Sequence, residues 1–149
     1  MQNAIKIVIP IEPKAQMRAR HAVRGKHAMA YKCKEQREAE DVLKVFLMRN
    51  QPQLPFSGPL SFGVRAYLPI PKSKAKKWQS DARAGRCRPT TKPDMDNLLK
   101  HLKDCLTQMR YWEDDKQVVE YLPGTGKYYS DQPRWEVEIR PWVPDGGLL

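Results

Sequence analysis

"TTKPDMDNLLKHL", residues 90–102, joins an extended, proline-led step to a helical stripe, and its reading lays out the rest of the chain. Leu98, Leu99 and Leu102 continue through Cys105, Leu106 and Met109 at the spacing of a packed helix. Asp94 and Asp96 stand one residue apart where that helix begins. At about 100° per residue, helical positions i and i+2 point about 200° apart and cannot share an ion. In extended chain the same two positions share a face. Pro93 biases Lys92 towards extended geometry without forbidding a helix that starts at Asp94. The segment therefore places Asp94 in extended chain and Asp96 at or beside the cap, so that the carboxylates converge. The plainer alternative is helix capping, in which Asp accepts backbone N–H bonds and suits the helix dipole.

Working outward, AIKIVI alternates with Ile5, Ile7 and Ile9 on one side and predicts a strand. From about Tyr31 to Asn50 a helix is expected on the spacing of Ala39, Val42, Leu43 and Phe46, with Gln51-Pro52 ending it. LSFGVRAYL predicts a second strand with Leu60, Phe62, Val64, Ala66 and Leu68 on one face. DKQVVEYL predicts a third, and RWEVEIRPW a fourth, with Trp135, Val137 and Ile139 opposite Glu136, Glu138 and Arg140. The order β-α-β-α-β-β makes an α+β fold: a single small domain with a mixed sheet and helices packed on it. That domain is expected over residues 1–142, with the Pro/Gly-rich residues 143–149 a disordered tail.

The chain has 149 residues, enough to bury a sizeable core, and 27 Lys+Arg against 17 Asp+Glu give it a net charge of +10. Such a surplus favours a polyanion, nucleic acid ahead of an anionic membrane. The cations are concentrated. Lys14, Arg18, Arg20, Arg24, Lys26, Lys32 and Lys34 face only Glu12 in one stretch. Lys72, Lys74, Lys76, Lys77, Arg83, Arg86, Arg88 and Lys92 face only Asp81 in another. Neither stretch has apolar periodicity, so both read as loops or arms suited to phosphates. No apolar run approaches the about 20 residues of a bilayer span, and MQNAIKIVIP lacks the layout of a signal peptide. Cys33, Cys87 and Cys105 form no CxxC pair, which points to a reducing cytoplasm without a disulfide framework or thiolate zinc site.

Paired acids inside a basic chain need a reason. Asp96, Lys100 and Asp104 follow at i, i+4 and i+8, and Asp114 and Asp115 open the expected third strand. A helix running back to that strand would bring Asp115 beside Asp94 and Asp96. Three clustered carboxylates repel unless a cation or protons neutralise them. Oxygen-only ligands favour a hard ion, Mg²⁺ first and Mn²⁺ second. Two such ions would activate water and stabilise the leaving 3′ oxygen in phosphodiester hydrolysis. Lys100 would stabilise charge on the phosphate or pair with Asp96 and Asp104; the pattern leaves both roles open.

KPDMDNLLKHLKDCL followed by WEDDKQVVEY resembles the signature of the RusA family of Holliday junction resolvases, a PD-x-DN-x-x-K run and then DD-x-x-V. IPIEPKAQMRAR and GPLSFGVRAYLPIPKSKAKK resemble the family's opening strand with its basic loop and its middle strand with the loop after it. PKAQMRARH lacks the PRPR-like run of many relatives. The resemblance covers about Ile5 to Ile139. It implies a RusA-like fold and a homodimer that binds branched DNA, four-way junctions above all, and makes paired symmetric nicks with Mg²⁺ in recombination and repair. The family's metal-binding aspartates correspond to Asp94, Asp96 and Asp115 and its active-site lysine to Lys100. A two-fold dimer suits paired cuts in a near-symmetric junction.

Expected DNA contacts are Lys14, Arg18, Arg20, Lys72, Lys74, Lys76, Lys77 and Lys127. The last lies in PGTGKYY, which lacks the spacing of a phosphate loop and reads as a turn, so no nucleotide cofactor is expected. Trp78 stacks on an unpaired base or packs in its loop. Two function classes remain: a structure-selective endonuclease acting at the nucleoid, and a branched-DNA-binding module whose acids serve as caps and surface charge.

Overall fold

The computed structural model describes residues 2–15, 20–24, 27–31 and 34–144, with the backbone alone at 20–24 and 27–31. Four strands, β1 (Ile5–Ile9), β4 (Leu60–Pro69), β5 (Val118–Tyr121) and β7 (Arg134–Pro141), run in the order β1-β7-β4-β5, and β6 (Gly126–Ser130) also pairs with β4. β7 is antiparallel to both β1 and β4, whereas β5 and β6 run parallel to β4. The result is a mixed five-stranded sheet. β5 takes the start of β4 and β6 its end, so together they form one parallel strand broken by the turn at residues 122–125. The PGTG reading as a turn holds. Gly124 sits there at φ 89°, a conformation few side chains adopt, and Thr125 Oγ1 donates to Leu122 O at 2.8 Å while accepting from Val64 N.

The alternation expected of the strands is present. Ile7, Ile9, Phe62, Val64, Ala66, Trp135, Val137 and Ile139 are buried. Against them pack α1 (Lys34–Arg49) and α3 (Met95–Gln108), the latter through Leu98, Leu102, Cys105 and Leu106 as its stripe predicts. The face of α1 differs from expectation. Gln36, Glu40, Leu43 and Leu47 are its buried residues, and Val42 is 48% exposed. Within that face Gln36 Nε2 donates to Glu40 Oε1 at 2.8 Å, and hydrophobic spacing alone is blind to inward polar residues.

Three elements were not expected. Residues Arg20–Arg24 (β2) and His27–Tyr31 (β3) form an antiparallel hairpin within the first basic stretch. Lys76–Arg83 (α2) forms a helix within the second. Both stretches thus carry regular structure rather than loop alone. α2 closes on a Schellman motif, with Arg86 N–H to Asp81 O at 2.9 Å, Gly85 N–H to Ala82 O at 3.1 Å, and Gly85 at φ 77°. The third unexpected element is β6. The β-α-β-α-β-β order survives with these insertions, in an α+β fold. The expected tail falls mostly on residues 145–149, outside the described residues. Among the described residues no helix is long and apolar enough to cross a membrane.

Candidate active site

Asp94 is the N-cap of α3. Its backbone is extended, φ −78° and ψ 159°, and its Oδ1 accepts from Asn97 N–H at 2.8 Å. Asp96 is therefore the second residue inside the helix rather than at its cap, because Met95 already begins α3. Its negative charge in the first turn complements the dipole. Asp94, Asp96 and Lys100 are exposed. Among the described residues no hydrogen bond or ion pair engages Asp96 or Lys100, so the Asp96–Lys100–Asp104 pairing does not form.

The approach to Asp94 is held by β6. The Lys92–Pro93 peptide is cis. Lys127 in β6 donates its ammonium to Thr91 O and to Pro93 O, each at 2.9 Å. Arg88 Nε in turn donates to Lys127 O, while its guanidinium stacks on Tyr128 at 3.6 Å from the ring centre. β6 thus grips the loop on both sides of its crossing. The ammonium of Lys127, half-buried, is committed to backbone carbonyls rather than open to a phosphate.

A cleft of about 700 Å³ opens beside this loop. Glu12, Pro13 and Lys14 line one side, the end of β4 with Pro69 and Pro71 another, and Thr91–Asp94, Asn97 and Tyr129 the rest. Both basic stretches meet the acidic loop here. Lys72 and Lys74 follow Pro71, and their carbonyls are bound by Gln79 Nε2. Lys76 and Lys77 stand in the first turn of α2 with no acid beside them. Cations there oppose the helix dipole, so they cost stability where they gather positive charge. Trp78 is packed rather than free: its ring meets Tyr129 edge-on at 5.3 Å, and Lys74 Nζ lies 5.3 Å from its centre. Burial, and next the nearby Cys87, push the Tyr129 hydroxyl above its usual range. Arg18 lies outside the described residues, and only the backbone of Arg20, in β2, is described.

The second acidic pair is elsewhere. α3 ends at Gln108, Arg110 turns the chain at φ 62°, and Trp112 Nε1 donates back to Thr107 Oγ1 at 2.6 Å. Asp114 then caps a 3-10 turn, Asp115–Gln117, in a capping box with Gln117. Asp115 is half-exposed at that turn's start. It lies beyond the C-terminal end of α3, because the chain returns to the level of Pro93 only at Lys127. Among the described residues no three His, Cys, Asp or Glu side chains gather to hold a metal ion. Asp115 therefore does not join Asp94 and Asp96 within the chain as described, contrary to the expected convergence. The sequence reading also passed over Tyr129 and Glu12 as site residues. Only the five prolines, Pro13, Pro69, Pro71, Pro89 and Pro93, that share the cleft offered a signal, and they are scattered along the chain.

The family pattern described as "Endodeoxyribonuclease RusA" matches residues 10–140. The uncharacterized protein YqaN of Bacillus subtilis is 40% identical over 141 residues, covering 93% of this chain and 96% of that one. The crossover junction endodeoxyribonuclease rusA of Lactococcus phage r1t is 37% identical over 99 residues, covering 65% of this chain and 67% of that protein. The chain belongs to the RusA family of endodeoxyribonucleases.

Proposed function

We propose that this RusA-family chain is a divalent-metal-dependent endonuclease that resolves four-way DNA junctions by paired nicks, acting as a homodimer at the nucleoid. The observation that carries the reading is the cleft in which both basic stretches meet the capped Asp94 and the start of α3. A non-catalytic DNA-binding module has no use for exposed carboxylates beside a polyanion, since they repel it.

The donor chemistry fits a hard cation. Mg²⁺ characteristically takes one or two carboxylates and completes its shell with water and substrate phosphate. Asp94, through the oxygen not committed to Asn97, and Asp96 are the residues that would hold it. Held there, such a cation would supply Lewis-acid polarisation of a phosphoryl oxygen and a more acidic water. The remaining work falls to the chain. Lys14, Lys72, Lys74, Lys76 and Lys77 neutralise backbone phosphates, and Lys100, one helical turn beyond Asp96, offsets charge that grows on the phosphoryl oxygens. Water adds to phosphorus and gives up a proton, the bond to the 3′ oxygen breaks, and that oxygen takes up a proton, leaving a 5′-phosphate and a 3′-hydroxyl. Lys127 acts through the loop that it holds.

The test is Mg²⁺-dependent cleavage of an end-labelled synthetic four-way junction beside linear duplex, with Asp96→Asn in parallel. Paired nicks in the junction, lost in the variant, are the expected result. Tight junction binding without nicks in Mg²⁺ or Mn²⁺ would give the protein to the binding-module class.

A further inference from the structure

The cleft beside Asp94 is not built like a phosphate track. Its volume, about 700 Å³, lies within the roughly 300–1,000 Å³ of sites that enclose small ligands. Its walls include five prolines, Leu68 and the ring of Tyr129; its charged groups are Lys14, Lys92, Glu12 and Asp94, and Ala15, Thr91 and Asn97 complete the lining. A phosphate gains nothing from proline and leucine walls. An unpaired base does, because its π-face stacks on flat apolar and aromatic surfaces irrespective of sequence. Tyr129 is suited to that role: it remains half-exposed, and Trp78 fixes its ring edge-on from α2. At a branch point stacking is already interrupted, so a base leaves the helix there at least cost.

We propose that this cleft receives one unstacked nucleotide of the strand to be cut, its base against Tyr129 and the prolines and its phosphate drawn by Lys14 and Lys92. The inference rests on the endonuclease reading, and it adds a source of structure selectivity. Duplex DNA offers no unpaired base to the cleft. At a junction's branch point one base unstacks at lower cost than within a duplex, and seating that base brings the adjoining phosphodiester to Asp94.

The experiment measures affinity for a fluorescent four-way junction by anisotropy with divalent metal withheld, so that it does not depend on nicking. A single abasic site is walked through the nucleotides flanking the branch point. With wild-type protein, one position should weaken binding roughly five- to a hundredfold, the range of one base stacked on an aromatic side chain. This arm needs no variant. Tyr129→Ala should weaken binding to the intact junction by a similar factor and make no further difference on that one abasic junction. Tyr129→Phe, which keeps the ring, should show the smaller loss. A flat abasic walk, or a Tyr129→Ala penalty equal on every junction, would overturn the seated nucleotide. If wild-type protein nicks junctions in Mg²⁺ while the walk is flat, the cleft proposal alone falls. If it neither prefers nor nicks junctions, the endonuclease reading falls with it.

Discussion

The two aspartate pairs, Asp94/Asp96 and Asp114/Asp115, are built on one plan at opposite ends of α3. In each the first carboxylate caps a helical turn, Asp94 accepting from Asn97 N–H at 2.8 Å and Asp114 from Lys116 N–H at 2.9 Å. The second, Asp96 or Asp115, enters the first turn with no partner among the described residues. Their surroundings differ. Asp94 lines a cleft with Lys14 and Lys92 against one further acid, Glu12, whereas Asp114 lines a hollow with Glu113 and one cation, Lys116. A capping role is thus no argument against a site, since both pairs cap. What separates them is the electrostatics of the space each opens on.

The largest effect tests whether the pairs serve one centre. α3 has 14 residues, so its ends are about 21 Å apart. If Asp115 works with Asp96, it must do so from a second copy of the chain. Asp96→Asn and Asp115→Asn are each expected to lower junction nicking by more than the about 10- to 100-fold that loss of an outer-shell partner costs. An equal mixture of the two inactive proteins should then regain unpaired nicks, because one of the two shared centres in a mixed dimer is intact. A silent mixture would confine each centre to one chain, and full activity of Asp115→Asn alone would remove that residue from catalysis.

A smaller effect concerns the grip on the first pair, which the second lacks. Lys127→Met releases Thr91 O and Pro93 O. Nicking should fall about 10- to 100-fold while the salt dependence of junction binding stays unchanged in a titration. A loss of affinity, with the salt slope shallower by about 0.9, would return Lys127 to direct phosphate contact.

The smallest effect separates capping from catalysis. Asp94→Ala should destabilise the fold by about 1 kcal/mol in urea, and Asp114→Ala by a similar amount. Asp94→Asn keeps the cap and the stability but should lose nicking, while Asp114→Asn should keep both. Equal nicking losses in the two Asn variants would erase the distinction between the pairs.

How much of this was legible depends on what kind of signal each element carries. β1, β4, β7 and α3 announce themselves because each buries one apolar face, and Ile7, Phe62, Val137 and Leu102 fall where the period places them. β6 has no such face: all five residues are half-buried, and its role is to pair with the end of β4. α2 buries only Ala82, so it carries no apolar stripe, and its one clear sign was Gly85 just past the end. In the site, the extended backbone of Asp94 followed from Pro93 and the capping pattern. The distance from Asp96 to Asp115 did not, because it depends on which way β5 leaves α3. Local spacing says nothing of that direction. Nor did it reveal that Lys127, expected to meet DNA, holds the loop that bears Asp94.

That tie has a consequence in time. Lys127 lies 34 residues after Pro93, and β4 finds its partners only at Val118 and beyond, with Leu60 paired to both Val118 and Pro141. A chain emerging from the ribosome has already exposed its basic segments and both aspartate pairs before the central strand can be enclosed. Pairings so distant in sequence are slow to form, so the loop that bears Asp94 is set only after β6 has docked on β4. The nascent chain can meet nucleic acid before it is able to cut it.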